Sequence, residues 1–419
     1  MKKYIFSLLA SLFLFASCSS SDDDPVPITY DEDSLTILSY MIASGNGLNE
    51  FISFNITTMY DGLASMDKPA TLLVYWDGDT RIAGKTHLIL KYETDGKGNI
   101  NGKKALDIEA EKSEILAEAQ IMKEYEAQVC TDKDVMIEVL KDMKSFAPTD
   151  KLGLIVGSHG SSWLNTISTS RAIGYDGNYS NSILLPDMVE ALESVGKKFE
   201  FILFDACFMG TAETCYDFHS VSDYLIASVM EVPTYGFPYD EFMKYLYQDT
   251  EDSYRKVCQS YIDYYKDVYN DKSSNESAWG TIALVDCKEV PMLTEILKEE
   301  IIKHKASLSN YNVSNLQEYG RAGGYGIAYD LEQFIKDLNG GKLPETFGTQ
   351  LDKTIRYKGC VEDSRPYTPT WSYDVDASNF CGLGIYIPRQ SDSKWNSYFK
   401  TIEWFTASGW NEVDFNWNF

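Results

Sequence analysis

The amino-acid sequence predicts an α/β fold in which helices cover both faces of a mostly parallel sheet. Runs of strand length that are mostly apolar, such as Ser34–Ala43 and Phe199–Asp205, are expected of strands buried on both faces. Stretches with helical apolar spacing alternate with these runs, which is typical of a doubly wound sheet. The 419 residues, 44% of them hydrophobic, are sufficient for one large domain or two moderate ones with a packed core.

The first half of the chain supplies four predicted strands and two predicted helices. In order, these are strand Ser34–Ala43, helix Leu48–Met66, strand Ala70–Trp76, strand Thr86–Tyr92, a helix through Phe146 and strand Lys151–Gly157. Thr131 is the predicted N-cap of the helix through Phe146, because its hydroxyl can accept from a first-turn N–H and Pro148 follows the helix.

The second half continues the alternation and becomes less regular towards the C-terminus. The predicted elements are helix Leu184–Val195, strand Phe199–Asp205, helix Met209–Phe218, strand Asp223–Ser228, a helical region 240–270, strand Gly280–Asp286, helix Val290–Ala306, a helix beginning at Asp330–Ile335, a helix at 350–363 and strand Leu383–Pro388.

Two of the buried strands end at side chains that can react. His159 follows the run Lys151–Gly157, and Cys207 follows the run Phe199–Asp205. Ligands bind at the carboxyl edge of an open α/β sheet, and the separation of 207 − 159 = 48 residues allows one crossover between parallel neighbours. A histidine about fifty residues before a cysteine is also the spacing found in caspases. We therefore predict that His159 and Cys207 meet at this edge as base and nucleophile.

Such a pair supports acyl transfer. The Cys207 thiolate would attack a carbonyl carbon, His159 would protonate the leaving amine, and water would hydrolyse the thioester. Backbone N–H groups of Gly160 and Cys207 would stabilise the oxyanion, and Gly160 would let a substrate carbonyl approach closely. The predicted helix starting near Met209 would lower the pKa of the Cys207 thiol.

Each of these residues also has an ordinary structural explanation. Free cysteine is among the most buried residue types, so Cys207 considered alone would more often be a core residue. A single histidine is usually structural or exposed, and His87, His219 and His304 are interpreted that way. The functional hypothesis for His159 and Cys207 therefore depends on their shared position at the predicted sheet edge.

The charge of the chain excludes some classes of partner. Its formal net charge is −26, which argues against binding to nucleic acid or to an anionic membrane surface. An acidic surface would instead attract basic substrates.

The N-terminus has the pattern of an export signal. Two lysines precede the apolar run Tyr4–Ala16, which is too short to span a bilayer. The sequence ending at Cys18 resembles a bacterial lipobox, which implies a signal peptide at 1–17 and lipidation of Cys18. Residues 18–34 resemble the acidic tether of surface lipoproteins from Bacteroides-type bacteria. We expect a lipoprotein of the cell envelope, at the outer membrane or cell surface, that meets the membrane only through its lipid; the alternative is a buried N-terminal helix.

The remaining cysteines give no sign of a disulfide framework or a zinc site. They are odd in number and lack CxxC spacing, and they lie at positions 130, 207, 215, 258, 287, 360 and 381. Cys207 is the one placed to be a free reactive thiol, and the others are expected to behave as small buried hydrophobes.

The motifs around both reactive residues resemble those of the clostripain-like cysteine peptidases, relatives of caspases, legumain and gingipains. These motifs are Ser158-His159-Gly160 and Phe204-Asp205-Ala206-Cys207-Phe208-Met209-Gly210. Segments Tyr40–Ala43, Asp330-Leu331 and Gly382–Pro388 resemble the family as well, so the resemblance runs from about residue 35 almost to the C-terminus. It implies a caspase-like αβα sandwich, with a catalytic core at 35–250 and a C-terminal α/β extension at 251–419, and cleavage of proteins or peptides after Arg or Lys.

The resemblance also implies which acids bind the basic side chain of the substrate. In this family the acid two residues before the nucleophile helps to do so, and here that residue is Asp205. A carboxylate beside the thiol would pair with a guanidinium or ammonium group. The alternative is that Asp205 only caps the turn that follows it. Glu231, in an aromatic-rich loop after the next strand, is a second candidate for the same pocket.

Members of the family commonly activate themselves by cutting the loop between the histidine and the cysteine. Between Gly160 and Gly196 the only basic residue is Arg171, which lies in a polar run. We therefore predict a cut between Arg171 and Ala172 that yields a light and a heavy chain. The alternative is that Arg171 is an ordinary surface residue.

Other functions are compatible with parts of the sequence. The high content of Tyr and Trp would suit a surface lipoprotein that binds glycan or protein on an inactive peptidase fold. A peptidase-like protein without turnover is a third hypothesis, although the chain keeps both Cys207 and His159. Calcium is used by some relatives, but the sequence has neither an EF-hand loop nor HExxH spacing, so no metal or other cofactor is predicted.

Overall fold

The computed structural model describes residues 28–31, 33–107, 110–164, 173–176, 181–320, 326–365 and 375–417. Cys18 and the Arg171–Ala172 bond lie outside these residues. The strands are β1 Leu35–Ile42, β2 Ala70–Ile82, β3 Lys85–Thr94, β4 Asn99–Ile100, β5 Lys103–Lys104, β6 Gln120–Glu124, β7 Lys151–Gly157, β8 Ile173–Asp176, β9 Asn181–Ile183, β10 Phe199–Asp205, β11 Ser222–Ala227, β12 Ala278–Asp286, β13 Glu318–Gly320, β14 Gly326–Asp330, β15 Ile355–Arg365 and β16 Gly384–Ile385.

Helices alternate with these strands along most of the chain. They are α1 Asn49–Ala64, α2 Lys112–Ala117, α3 Lys133–Phe146, α4 Leu185–Glu193, α5 Ala212–Phe218, α6 Tyr239–Leu246, α7 Glu251–Asn270, α8 Val290–Leu308, α9 Leu331–Leu338, α10 Glu345–Thr354, α11 Ser393–Phe399 and α12 Glu403–Ala407. Short 3₁₀ segments occupy Cys287–Glu289, Ala377–Asn379, Gln390–Asp392 and Trp410–Glu412.

The central sheet has eleven strands, in the order β15-β12-β11-β10-β7-β1-β2-β3-β4-β5, with β6 paired to β3. Its five middle strands, β11, β10, β7, β1 and β2, are all parallel, and the strands outside them are antiparallel. The middle strands are buried almost from end to end, which explains why their sequences are mostly apolar. The parallel centre with antiparallel edges confirms the predicted fold class.

Two hydrophobic cores lie on opposite faces of this sheet. On one face α3, α4, α5 and α8 contribute side chains such as Val139 and Met188, and on the other α1, α6 and α7 contribute side chains such as Met59 and Phe242. The chain is therefore an αβα sandwich, as the resemblance implied. Two smaller sheets, β13-β14-β16 and β8-β9, lie outside the central one.

The predicted helix at 350–363 is wrong for most of its length. Helix α10 ends at Thr354, and Ile355–Arg365 is strand β15, which pairs antiparallel with β12 at the edge of the sheet. The local pattern of β15 is ambiguous because one side of an edge strand faces solvent. Pairing with the open edge of β12 decides the conformation, a case of tertiary context overriding local propensity.

The predicted helical region 240–270 is two helices rather than one. Helix α6 ends at Leu246 and α7 begins at Glu251, and between them Asp249 adopts a φ of +51°. Thr250 and Ser253 then form a capping box in which each side chain accepts from the other's backbone N–H. These caps satisfy the N–H groups of a new first turn, so the helix restarts there.

Two predicted helix starts are displaced by a few residues. The N-cap of α3 is Asp132 rather than Thr131, and its carboxylate accepts from the N–H groups of Asp134 and Val135 at 2.9 and 3.2 Å. Helix α5 begins at Ala212, with Thr211 as its N-cap, rather than at Met209. Cys207 therefore lies five residues before a helix of seven residues, which removes the predicted effect of that helix on the thiol.

The proposed boundary near residue 250 falls in the break between α6 and α7. Strands β12 and β15 lie after this point in the sequence and still join the central sheet next to β11. In the part of the chain that the structure describes, no helix is both long enough and apolar enough to cross a membrane.

Candidate active site

The strand order places a crevice at the carboxyl end of the sheet. Strand β1 connects to β2 on one side, whereas the next parallel strand, β7, lies on its other side. Loops that leave β1 and β7 therefore diverge, and ligands of open α/β sheets bind at such a switch point. A cavity of about 280 Å³ lies there, lined by the ends of β7 and β10, by α1 and by the segment after β11.

His159 and Cys207 both lie at this cavity. Strands β7 and β10 are parallel neighbours in which Gly157 pairs with Asp205, so each reactive residue is two positions past a paired residue. Both residues line the cavity, and Cys207 is partly exposed to it. The structure thus brings together the two side chains that the sequence predicted to meet.

The imidazole of His159 is oriented by a backbone carbonyl. Its Nε2 lies 2.9 Å from the carbonyl oxygen of Asn46, so Nε2–H donates to this oxygen. In the neutral ring this assigns the lone pair to Nδ1. Asn46 is itself fixed, because its side chain donates to the Ile42 carbonyl at 2.9 Å and accepts from the Leu48 N–H at 3.0 Å.

Cys207 is presented by a tight turn after β10. Phe208 adopts a φ of +62°, in the left-handed region, and its N–H donates to the Met230 carbonyl at 2.9 Å. Gly210 lies against the segment that follows β11, where a Cβ on residue 210 would be 2.7 Å from the Val229 nitrogen. A non-glycine residue with positive φ costs about 1–3 kcal/mol, and such strain is found mostly at functional sites.

Cys207 differs from the other cysteines in its surroundings. None of the seven cysteines that the structure describes forms a disulfide, and Cys207 is the one that is not buried. Burial is the main cause that raises the pKa of each of the six others, Cys130, Cys215, Cys258, Cys287, Cys360 and Cys381. Those six are poor nucleophiles because the thiolate is the reactive form.

Gly160 makes close contact with the turn that carries the thiol. A Cβ at this position would lie 2.4 Å from the Cys207 carbonyl oxygen and 3.1 Å from the Ala206 Cβ, so only glycine fits. Gly160 forms an antiparallel bridge with Ile173 in which the Gly174 N–H donates to the His159 carbonyl at 3.0 Å. In this type of pair the N–H of Gly160 points away from Ile173.

Asp205 is a buried carboxylate at the wall of the same cavity. It is 7% exposed, and its Oδ2 accepts from Asn55 Nδ2 at 2.8 Å and from the Tyr239 hydroxyl at 2.9 Å. The Phe237 N–H also donates to it. Burial raises the pKa of Asp205 to about 6, against the lowering effect of these three donors. Its donors come from α1 and from residues 237–239, on the far side of the turn that carries Cys207.

The rest of the cavity combines one more acid with apolar walls. Glu231 also lines it, together with Val232 and Trp279. The indole of Trp279 is 2% exposed and donates to the Glu231 carbonyl at 2.9 Å, which fixes this wall. No lysine or arginine is among the cavity-lining residues within the described ranges.

Two residues of the site have no signal in the sequence. Asn46 lies in a predicted turn and Asn55 in the middle of α1, and neither belongs to a recognisable motif. Asn55 is 3% exposed and its Oδ1 accepts no hydrogen bond, although its Nδ2 donates to Asp205. Because α1 also buries Ser53, Thr57 and Thr58, a polar residue at this position does not stand out in the sequence.

The aromatic residues do not form a binding platform in the part of the chain that is described. Five tryptophans, Trp76, Trp163, Trp279, Trp404 and Trp410, are almost fully buried. Tyr235 is the largest exposed ring and packs edge-on against Phe51 and Phe54 of α1. Most of the aromatic content is therefore core, which weakens the hypothesis of a glycan-binding protein.

Comparison with known proteins agrees with this geometry. The model of the clostripain family matches residues 39–417. No curated protein matches the chain.

Several solved structures are similar to the chain, and three of them illustrate the range. A secreted C11 cysteine protease from Bacteroides thetaiotaomicron, in complex with an irreversible peptide inhibitor, has 24% identity and a TM-score of 0.72, covering 91% of this chain and 100% of its own. An inactive zymogen C11 protease from Parabacteroides distasonis has 23% identity and a TM-score of 0.70, covering 91% and 99%. A B. fragilis cysteine protease has 27% identity and a TM-score of 0.52, covering 58% and 98%.

Proposed function

Because this chain belongs to the clostripain family of cysteine peptidases, we propose that it is an exported endopeptidase that cleaves after Arg or Lys with Cys207 and His159. The observation that carries the specificity is the buried carboxylate of Asp205, two residues before the thiol and on the wall of the same cavity. Export as a lipoprotein anchored through Cys18 rests on the N-terminal pattern, and one similar protease is described as secreted.

The proposed reaction begins with proton transfer from the Cys207 thiol to Nδ1 of His159, since Nε2–H is engaged with the Asn46 carbonyl. The thiolate attacks the substrate carbonyl carbon, and the N–H groups of Gly160 and Cys207 stabilise the oxyanion. The His159 imidazolium then protonates the leaving amine as the C–N bond breaks. Water attacks the remaining thioester with His159 as base, which releases the carboxylic acid and restores the thiol.

The cavity suits one long cationic side chain. Apolar wall residues such as Ile52 and Trp279 would pack on its aliphatic stem, and Trp279 would add a cation–π contact. At the end of the cavity the carboxylate of Asp205 would pair with the ammonium or guanidinium group. The Asn55 Oδ1, which accepts no hydrogen bond, would take a further N–H of the same group. Glu231 would supply a second negative charge at the opposite wall.

A panel of fluorogenic peptides tests this proposal. Peptides that end in Arg, Lys, Asp or Leu are compared with neutral isosteres of the basic residues, citrulline and acetyl-lysine. Loss of one partner of a buried charge pair costs about 2–5 kcal/mol, so we expect kcat/KM for Arg or Lys to exceed that for its isostere at least about 30-fold. Preferential cleavage after Asp or Leu would support the peptidase hypothesis but would reject Asp205 as the acid that binds the substrate's side chain. No cleavage by folded, matured protein would favour a binding protein with an inactive peptidase fold.

Self-cleavage between Arg171 and Ala172 is a separate expectation. The wild-type protein should separate into two chains, with Ala172 as a new N-terminus by Edman sequencing or mass spectrometry, whereas Arg171→Ala should stay intact and less active. A similar protease described as an inactive zymogen supports a maturation step. Lys197→Ala serves as the control, because Lys197 is the next basic residue and should leave processing unchanged. A Cys207→Ala protein that still splits at this bond by itself would contradict an autocatalytic cut.

A further inference from the structure

Three side chains that could bind a metal ion cluster outside the lining of the cavity. Ligand atoms of Asp77, Cys130 and Asp176 all lie within 4.8 Å of one another, and all three residues are buried. They come from β2, from the segment before α3 and from β8. His87, at the start of β3, adjoins the cluster, with its Nδ1 2.5 Å from Asp77 Oδ1.

The surroundings of Asp77 indicate that this residue binds a ligand. It is 0% exposed, and neither of its carboxylate oxygens has a hydrogen-bond partner of acceptable geometry. His87 Nδ1 also lacks such a partner, although it lies so close to Oδ1. A carboxylate without hydrogen bonds in the protein interior is costly, and buried charges are normally paired or coordinated to a metal. The short distance makes His87 and Asp77 Oδ1 a close ion pair, which leaves Asp77 Oδ2 as the buried oxygen available to a ligand.

The surrounding contacts hold the cluster in place. The Cys130 N–H donates to Asp176 Oδ2 at 3.0 Å, and the buried Tyr40 hydroxyl donates to the Cys130 carbonyl at 2.7 Å. Outer contacts that fix the first ligands are a regular feature of metal sites.

We propose that Asp77, Cys130 and Asp176 bind a divalent transition-metal ion of the Zn²⁺ type, with His87 paired to Asp77 as an outer contact. A thiolate favours zinc over calcium or magnesium, which take oxygen ligands almost exclusively. A site of this kind, in which His87 orients a ligating carboxylate, resembles metal sites whose outer contacts fix the ligands. Short-range motif searches cannot find it, because the donors are spread from residue 77 to residue 176.

The site would connect parts of the chain that no disulfide connects among the described residues. Asp176 lies in β8, within the connection that joins His159 to Cys207, whereas Asp77 and His87 belong to the central sheet. A bound ion would therefore tie this connection to the sheet beside the cavity. The proposal does not depend on the peptidase activity, and its test uses an inactive protein.

The experiment uses full-length Cys207→Ala protein, in which no self-cleavage can interfere. Metal content is measured by mass spectrometry after dialysis against excess Zn²⁺ and then against metal-free buffer. We expect about one zinc per chain, and a melting temperature that falls by several degrees with a strong chelator and recovers when Zn²⁺ is added back. Substitution with Co²⁺ should produce a thiolate-to-cobalt charge-transfer absorption.

Variants assign the ligands. Cys130→Ser and Asp77→Asn in the same background should lose stoichiometric zinc, and Cys130→Ser should lose the cobalt–thiolate band. Cys258→Ser is the matched control, since Cys258 is equally buried in α7 and belongs to no such cluster in the described chain. Background protein that retains no zinc and melts at the same temperature with and without Zn²⁺ would overturn the proposal, and would leave a His87–Asp77 ion pair beside a neutral thiol.

Discussion

Cys207→Ala is expected to abolish peptide hydrolysis, lowering kcat/KM by about 10⁴-fold or more. Removing the nucleophile of a covalent mechanism costs this much because no other group can form the acyl intermediate, and the oxyanion donors alone support little turnover. Cys207 is the one described thiol that is not buried, so no neighbouring cysteine can replace it. Initial rates on the best Arg or Lys peptide, with enzyme concentration normalised to folded protein, measure the effect.

Cys215→Ala is the control for this substitution. Cys215 lies in α5, eight residues after the nucleophile (215 − 207 = 8), and burial raises the pKa of its thiol. We expect its replacement to leave kcat/KM within about threefold of wild type, at some cost in stability from the small cavity. If folded Cys207→Ala protein hydrolyses peptides at the wild-type rate, the mechanism is rejected. This conclusion holds whichever substrate side chain Asp205 binds.

Asp205→Asn is expected to remove the preference for basic residues while sparing the fold. The loss of the buried negative charge should lower kcat/KM for Arg and Lys peptides by about 10²–10³-fold, mainly through KM, since a pair with the substrate's cation costs about 2–5 kcal/mol to break. The kcat/KM for the Arg peptide divided by that for the citrulline peptide should approach one. Asp223→Asn is the control, because Asp223 is a surface acid paired with Lys198 at 3.0 Å and lies outside the cavity.

The pH dependence of Asp205 gives this prediction a second readout. Burial raises the pKa of Asp205 to about 6, so the ionised form that binds a cation is lost as the pH falls through this value. KM for an Arg peptide should therefore rise below about pH 6 in the wild-type protein and remain flat in Asp205→Asn. A KM profile that is identical in both proteins would reject Asp205 as the binding acid.

The same shift has a consequence of opposite sign for stability. The folded state binds the proton of Asp205 more tightly than the unfolded state, whose pKa is about 3.9. Ionised Asp205 therefore lowers the free energy of unfolding above about pH 6, by an amount on the order of 3 kcal/mol, and this cost disappears below about pH 4. Asp205→Asn should melt at pH 7.5 at or above the wild-type temperature. A fall of several degrees would instead indicate that Asp205 serves the structure, by holding Asn55 and Tyr239.

The sequence predicted the centre of the fold well for a physical reason. A strand buried on both faces is apolar at most positions, so β1, β7 and β10 are visible as largely apolar runs, and residues that end such runs lie at the ligand-binding edge. His159 and Cys207 end two of these runs, which is why their positions along the chain are enough to place them together. The same reasoning fails for β15, which is half exposed at the edge of the sheet and whose conformation depends on pairing with β12.

The remainder of the site could not be predicted because it is defined by contacts between distant segments. Asn46 acts through its backbone carbonyl, which carries no information about residue type. Asn55 reaches Asp205 across 205 − 55 = 150 residues, and the pair is visible only when α1 lies over the sheet. The Asp77 cluster is similar, since each of its members alone looks like an ordinary buried or capping residue.

The strand order also determines when, during folding, the residues of the candidate active site come together. Strands β1 and β7 pair Leu35 with Lys151, a separation of 151 − 35 = 116 residues, and β10 pairs in turn with β7. Contacts of such long range form late and slowly, because the entropy of closing large loops is lost before the contacts form. A nascent or partly unfolded chain therefore holds Asn46, His159 and Cys207 apart. We therefore expect proteolytic activity only after the parallel sheet has assembled in its native topology.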